Sequence, residues 1–297
     1  MRVFVTGASG FIGSAVVSEL IDAGHQVVGL ARSDSSAHAL KAAGAQVHRG
    51  DLDDLEGLRT GAQSADGVIH LAFNHDFTAY NGAAETDRHA IDALGEVLAG
   101  SDRPFVVTSG LAGFAPGRTV TEDDAADPNS ARASERAALA FTARGVRVSV
   151  LRLPPTVHGQ GDHGFVPRLI DIAREKGVSA YPGDGSNRWP AVHRFDAARL
   201  FRLALEASPA GARLHAIGDE GIPVRDIAGV IGRGLALPVT AVSPDKAADH
   251  FGWLGGFFSL DVVASSTWTR QQLGWQPTHI TLIEDLEQGH YFPDRAA

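Results

Sequence analysis

Apolar residues along the first half of the chain follow two alternating rhythms. Short β-branched runs at Arg2–Thr6, Gln26–Ala31, Gln46–Arg49, Gly67–Leu71, Pro104–Thr108 and Arg147–Leu151 predict strands. Between them, stripes of apolar residues at helical spacing predict helices over 12–23, 36–43, 54–61, 83–99 and 130–144, and Gly24 stands where a left-handed cap closes the first. Strands and helices in strict alternation build a parallel sheet covered on both faces, and right-handed crossovers make it a doubly wound α/β fold. Ligands of such a sheet bind at the carboxyl ends of its strands. The working edge is therefore expected at the turns after residues 6, 31, 49, 71, 108 and 151.

Beyond residue 152 the rhythm loosens as Pro154, Pro155, Gly159, Gly161, Gly164, Pro182, Gly183 and Gly185 accumulate. The division expected is a nucleotide-binding unit over 1–152 and a mainly substrate-binding lobe over 153–297, interleaved with the first. Helices in that lobe are expected near 165–175, 196–206, 223–232 and 265–273. A chain of 297 residues without cysteine has no disulfide, thiolate nucleophile or cysteine-held metal cluster. A formal net charge of −9 argues against nucleic acid as a partner, because a phosphate backbone requires a basic face. No apolar run approaches the roughly 20 residues of a membrane span. Met1 leads straight into the first strand without room for a signal peptide, so the expectation is a cytoplasmic protein.

The segment Thr6-Gly7-Ala8-Ser9-Gly10-Phe11-Ile12-Gly13 lies where the first strand ends and the first helix begins. Gly7 permits the tight turn, Gly10 lets backbone approach a diphosphate, and Gly13 allows the helix to pack closely on the strand, so the anion rests on the helix N-terminus. This is the corner of a Rossmann-type dinucleotide fold. The second strand ends Ala31-Arg32-Ser33 with no carboxylate at its tip. A carboxylate there would read the adenosine ribose, whereas a guanidinium pairs with a 2′-phosphate, so Arg32 and Ser33 favour NADP over NAD. The other reading makes Arg32 a solvated loop residue and gives the ribose to Asp34. Asp51, after the third strand, can meet the adenine amino group or cap the next helix.

With these motifs the sequence resembles the extended or atypical short-chain dehydrogenases/reductases of the NAD(P)-dependent epimerase/dehydratase superfamily. The resemblance rests on the glycine corner, Gly50-Asp51-Leu52, His70-Leu71-Ala72, Thr108-Ser109, Arg152 with His158-Gly159, the run from Pro190 to Ala198, and Leu273-Gly274-Trp275-Gln276-Pro277. It implies a seven-stranded sheet, with the nicotinamide over the carboxyl ends of strands four to six. Implied cofactor contacts are Gly7, Ser9, Gly10, Phe11, Ile12 and Gly13, then Asp51, Leu52, Leu71, Ala72 and Pro154. Family habit also implies a homodimer through the helices near 83–99 and 130–144.

The resemblance further implies a serine after strand five and a Tyr-x-x-x-Lys on the next helix, where the lysine lowers the phenol pKa for proton transfer. Ser109 is present, either as a substrate hydrogen-bond donor or as a residue that stabilises the turn after strand five. With Ser134 aligned to the serine that commonly precedes that lysine, Ala131 replaces the tyrosine and Glu135 the lysine. No Tyr-x-x-x-Lys exists in the chain: Tyr80, Tyr181 and Tyr291 are followed four residues on by Ala84, Gly185 and Arg295. Histidine is the natural replacement as proton carrier. His75 and His158 are the candidates, with His163 and Tyr80 behind them, while His70 and His193 read as core residues. His158 and His163 with Asp162 lack a third ligand, so no metal is expected. The aromatic pair Phe257-Phe258 reads equally as a mobile flap or a buried edge. Three functions remain open: an NADP-dependent oxidoreductase acting on a small or medium carbonyl, alcohol or activated alkene; an epimerase or dehydratase that recycles its cofactor; and a cofactor-binding sensor.

Overall fold

The computed structural model describes residues 1–74, 80–111 and 117–293. Its first strands are β1 (Arg2–Thr6), β2 (Gln26–Ala31), β3 (Gln46–Arg49), β4 (Gly67–His70) and β5 (Pro104–Gly110), followed by the short β6 (Thr119–Val120) and by β7 (Arg147–Leu153). The helices between them are α1 (Phe11–Asp22), α2 (Asp34–Ala42), α3 (Leu55–Gln63), α4 (Tyr80–Leu98) and α5 (Ser134–Ala140). Further on come β8 (Thr156–His158), α6 (Phe165–Lys176), β9 (Ser179–Pro182), β10 (Arg188–His193), α7 (Arg194–Ala207), β11 (Ala212–His215) and β12 (Asp219–Pro223). The chain closes with α8 (Val224–Leu235), β13 (Val239–Val242), α9 (Ala247–Phe251), α10 (Leu254–Phe258), β14 (Val263–Ala264), α11 (Thr267–Leu273) and α12 (Leu282–Glu287).

All six expected strands pair in one parallel sheet, and the late strand β11 joins its edge to make seven, in the order β11-β7-β5-β4-β1-β2-β3. Strand order reverses between β1 and β4, which sets the crevice for a dinucleotide above that junction. Both faces of the sheet are covered, so its strands are apolar at successive positions rather than alternate ones. Val3, Val5 and Val106 pack under α1 and α7, while Phe4, Phe105 and Val107 pack under α3 and α4. The lobe has its own core, in which Trp189 of β10 meets Phe258 of α10 edge-on at 5.2 Å. Phe258 is thus buried and Phe257 half-buried on a helix. Of the two readings of that pair, the mobile flap is set aside.

Two expected boundaries move. The helix placed over 130–144 runs only from Ser134 to Ala140, and Ala131, Arg132 and Ala133 lie outside it. Four-residue spacing from Ala131 to Glu135 therefore does not bring those positions together as adjacent turns of one helix. The segment around His158, expected as a loop, contains β8, which pairs in parallel with β10 so that His158 lies in register with His193.

Candidate active site

The corner between β1 and α1 is built by three glycines in three different ways. Gly7 has φ +66°, and a Cβ there would stand 2.7 Å from the backbone nitrogen of Ala72. Gly13 is closed more tightly, since a Cβ would come within 2.0 Å of the Gly7 carbonyl oxygen. Gly10 is the least enclosed of the three: its Cβ would meet only the Gly7 oxygen, a tight contact at 3.2 Å. Gly10 is also the N-cap of α1, with no side-chain cap and no acidic residue in the first turn. The bare N–H groups and positive end of a twelve-residue helix thus open onto the space beside Gly10. A diphosphate fits this donor set, so the corner suits a nicotinamide dinucleotide, which Ser9, Gly10, Phe11 and Ile12 would hold.

Leu71 and Ala72 border the same corner. Thr6 Oγ1 accepts hydrogen bonds from both of their backbone nitrogens at 3.2 Å and meets His70 Nδ1 at 2.8 Å. With its lone pairs taken, the Thr6 hydroxyl donates to His70 Nδ1, and Nε2–H then points to Asp87 Oδ1 at 3.1 Å. Ser134 donates to the other oxygen of Asp87. Burial works to raise the Asp87 carboxyl, but His70, the Arg132 charge and the Ser134 hydroxyl outweigh it and hold the group below its ordinary range. His70 is a satisfied core residue.

At the tip of β2, Arg32 is exposed and has no side-chain partner among the described residues. Ser33 caps α2 by accepting from Ser36 N at 3.1 Å and lies 2.9 Å from Ser35 Oγ. Asp34, the alternative ribose ligand, is paired with Arg49 from the end of β3. Asp51 is exposed and accepts from the backbone nitrogens of Asp53 and Asp54 at 3.0 Å. The cap of α3 is Asp54 instead. Leu52 is half-buried beside them, and Pro154 is buried just after β7.

On the β4–β5–β7 half of the crevice, Ser109 lies nearly buried opposite Arg152, with no side-chain partner among the described residues. His75 lies outside the described residues. His158 is not the loop histidine expected: it is fully buried in β8, with Nδ1 2.9 Å from Asp285 Oδ2 and its ring edge-on to His193. Its Nε2 is buried without a hydrogen-bond partner among the described residues. His163 is exposed and meets the Phe11 ring edge-on at 5.7 Å, while Arg194 at the start of α7 covers the same ring at 4.8 Å. Among the described residues no group of three His, Asp or Glu side chains is arranged to hold a metal.

The aligned lysine position is filled by a structural acid. Glu135 takes Arg152 with both oxygens, at 2.7 and 2.8 Å, and also accepts from Arg213 Nε at 2.7 Å. Burial works to raise its carboxyl, and the two guanidiniums hold it low. A residue the sequence reading passed over, Arg132, occupies the strand ends. Its Nε donates to Ser134 Oγ at 3.1 Å, its Nη2 lies 3.4 Å from the Thr108 oxygen, and its guanidinium covers the Phe73 ring at 4.2 Å. Asp87 carried the detectable signal: it stands in the buried stripe of α4 with Ala83, Ala84, Ala90, Ile91 and Leu94, and a buried acid requires partners.

A family model described as the NAD dependent epimerase/dehydratase family matches residues 3–217. The chain belongs to that family. A Schizosaccharomyces pombe protein, itself described as uncharacterized, is 52% identical over 98% of this chain and 100% of its own length. The 4-hydroxy-2-methyl-3-oxo-4-farnesyl-3,4-dihydroquinoline-1-oxide ketoreductase of Stigmatella aurantiaca is 31% identical, covering 75% of this chain and 70% of its own. Among solved structures, the dTDP-glucose 4,6-dehydratase DesIV of Streptomyces venezuelae superposes with a TM-score of 0.80 at 21% identity, over 99% of this chain and 98% of that one. The family membership and the Gly10 cradle agree on a nicotinamide dinucleotide as cofactor, and the superposition supports the Rossmann-type fold. No helix among the described residues is long and apolar enough to cross a membrane.

Proposed function

We propose that this protein is an NADP-dependent oxidoreductase acting on a small or medium carbonyl compound, the corresponding alcohol or an activated alkene. The observation that carries the cofactor preference is the exposed Arg32 guanidinium at the β2 tip, without a side-chain partner among the described residues, beside an Asp34 paired with Arg49. A guanidinium in that place suits a 2′-phosphate, and the carboxylate of the turn, Asp34, faces Arg49. The ketoreductase relative supports reduction of a ketone. When bound, the cofactor supplies or accepts hydride at its nicotinamide ring. Gly10 and the first turn of α1 hold its diphosphate, and Ser109 offers a hydroxyl at the end of β5 to a substrate oxygen. Proton handling falls to a group other than a tyrosine–lysine pair.

The test is titration with NADPH and NADH of the protein and of Arg32→Ala, followed by absorbance at 340 nm against aldehydes, ketones and enones. The reading expects Arg32→Ala to weaken NADPH by about tenfold or more and leave NADH within about twofold. Equal loss for both nucleotides removes the phosphate contact. The locked Glu135 favours a second reading, a nucleotide-binding sensor. Stoichiometric NADPH binding without turnover on any member of the panel selects it.

A further inference from the structure

We propose that Arg132 anchors a carboxylate on the substrate, which makes the substrate an oxo acid or the matching hydroxy acid. This inference rests on the reading of the crevice as an oxidoreductase site and names its substrate class.

In this sheet the order reverses between β1 and β4, so a dinucleotide whose diphosphate rests at the β1–α1 corner lays one half toward β2 and β3 and the other toward β4, β5 and β7. Arg32 marks the first half. Arg132 marks the second, since its guanidinium lies between Phe73, just beyond β4, and the Thr108 carbonyl near the end of β5. A Cβ added at Gly110 would lie 4.0 Å from Arg132 Nη1, which fixes that nitrogen above the end of β5.

The donors of Arg132 are unequally engaged. Nε is spent on Ser134, and Nη2 reaches the Thr108 oxygen at 3.4 Å, a long bond. Nη1 has no hydrogen-bond partner among the described residues, and Arg132 forms no direct ion pair with any described carboxylate. A described acid, Asp87, acts through Ser134, accepting from the same hydroxyl that receives Nε. The guanidinium is held by its Nε edge and by one face on the Phe73 ring. Among the described residues only the long Thr108 contact touches the Nη1–Nη2 edge, which leaves it to meet a ligand. Two coplanar N–H donors match the two coplanar oxygens of a carboxylate, and a half-buried setting beside an aromatic ring strengthens the pairing over one in water.

A staple that ties the segment before α5 to the strand ends would use the same Ser134 and Thr108 contacts but would not distinguish an acid from its ester. The experiment uses that difference. Protein saturated with NADP⁺, which cannot reduce a ketone, is titrated calorimetrically with 2-oxobutanoate, acetoacetate and 4-oxopentanoate and with their methyl esters. Wild type is expected to bind at least one acid about tenfold or more tighter than its ester. Arg132→Met removes that preference and Arg132→Lys restores part of it, while NADPH affinity stays within about twofold in both. Arg136→Ala, on the exposed side of α5, keeps the preference.

The proposal is overturned if no acid binds better than its ester, or if Arg132→Met keeps the preference. Thermal melting of each variant accompanies the titrations. Should Arg132→Met fail to fold, a reduced preference in a folded Arg132→Lys supports the anchor, and an undiminished preference there overturns it. The same titrations without nucleotide keep the two claims apart. Wild type that does not bind NADPH yet binds the acids through Arg132 sinks the oxidoreductase reading and keeps the anchor.

Discussion

Glu135 holds Arg152 by both carboxylate oxygens, Nε to Oε2 at 2.8 Å and Nη2 to Oε1 at 2.7 Å, at the position where the resemblance places a lysine. Arg152 is fully buried and also donates Nη1 to His215 Nε2 at 3.1 Å. The acid is thus required by the interior around β7 and β11, and the charge reversal belongs to the architecture of this chain.

Removing that acid strands a buried cation. Glu135→Gln is expected to destabilise the fold by about 3–5 kcal/mol in urea unfolding, and Glu135→Lys by more, because a third cation would join Arg152 and Arg213. The double change Ala131→Tyr with Glu135→Lys is accordingly expected to give unfolded protein rather than a restored catalytic pair. A soluble double variant with wild-type melting temperature would contradict the account of this cluster.

Acid sensitivity follows from two histidines. Burial, aided by the Arg152 charge, pushes His215 down to about 4. Burial, with His158 and His279 beside it, does the same to His193, also to about 4. The unfolded chain takes up protons near pH 6.5 that the folded chain refuses until about pH 4, so stability rises with pH across that window. His215 alone is expected to cost about 2 kcal/mol between pH 6.5 and 5. Urea midpoints at pH 7.5 and 5.0 measure the loss, and His215→Gln should reduce it. An unchanged midpoint between the two pH values would refute the assignment.

The Asp87 carboxylate is expected to matter to structure and to Arg132 together. Asp87→Asn weakens the bonds from His70 and Ser134 and removes the charge that faces Arg132 through the serine. A loss of about 1–3 kcal/mol is expected in urea unfolding. In the acid–ester titration described for Arg132, loss of this competing negative charge should keep or enlarge the preference for the acid, with NADPH affinity kept. Unaltered stability would mean that the buried relay is not formed.

The sheet was readable because both of its faces are covered, so that runs such as Val3-Phe4-Val5 stand out from the striped helices. The glycine corner was readable for the same local reason. The length of α5 was not, because Ala131 and Ala133 are strong helix formers and give no local sign that the helix starts only at Ser134, where Arg132 outside it meets Thr108 and Phe73, distant in sequence. His158 was misplaced because β8 exists only through pairing with β10, which lies some 30 residues on. Glycine-rich flanks gave that strand no local signature.

The central claim is that the β1–α1 corner seats a nicotinamide dinucleotide diphosphate, and Gly10→Ala tests it most directly. Alanine is allowed there, with φ −75° and only the Gly7 oxygen at 3.2 Å, whereas Gly13→Ala would drive a Cβ to within 2.0 Å of the same oxygen and disrupt the fold. The measurement is fluorescence titration of Gly10→Ala with NADPH beside wild type, with thermal melting as the control. The account predicts a melting temperature within about 4 °C of wild type and a loss of NADPH affinity of about tenfold or more. A folded Gly10→Ala that binds NADPH as tightly as wild type, or a wild type that does not bind it, would contradict it.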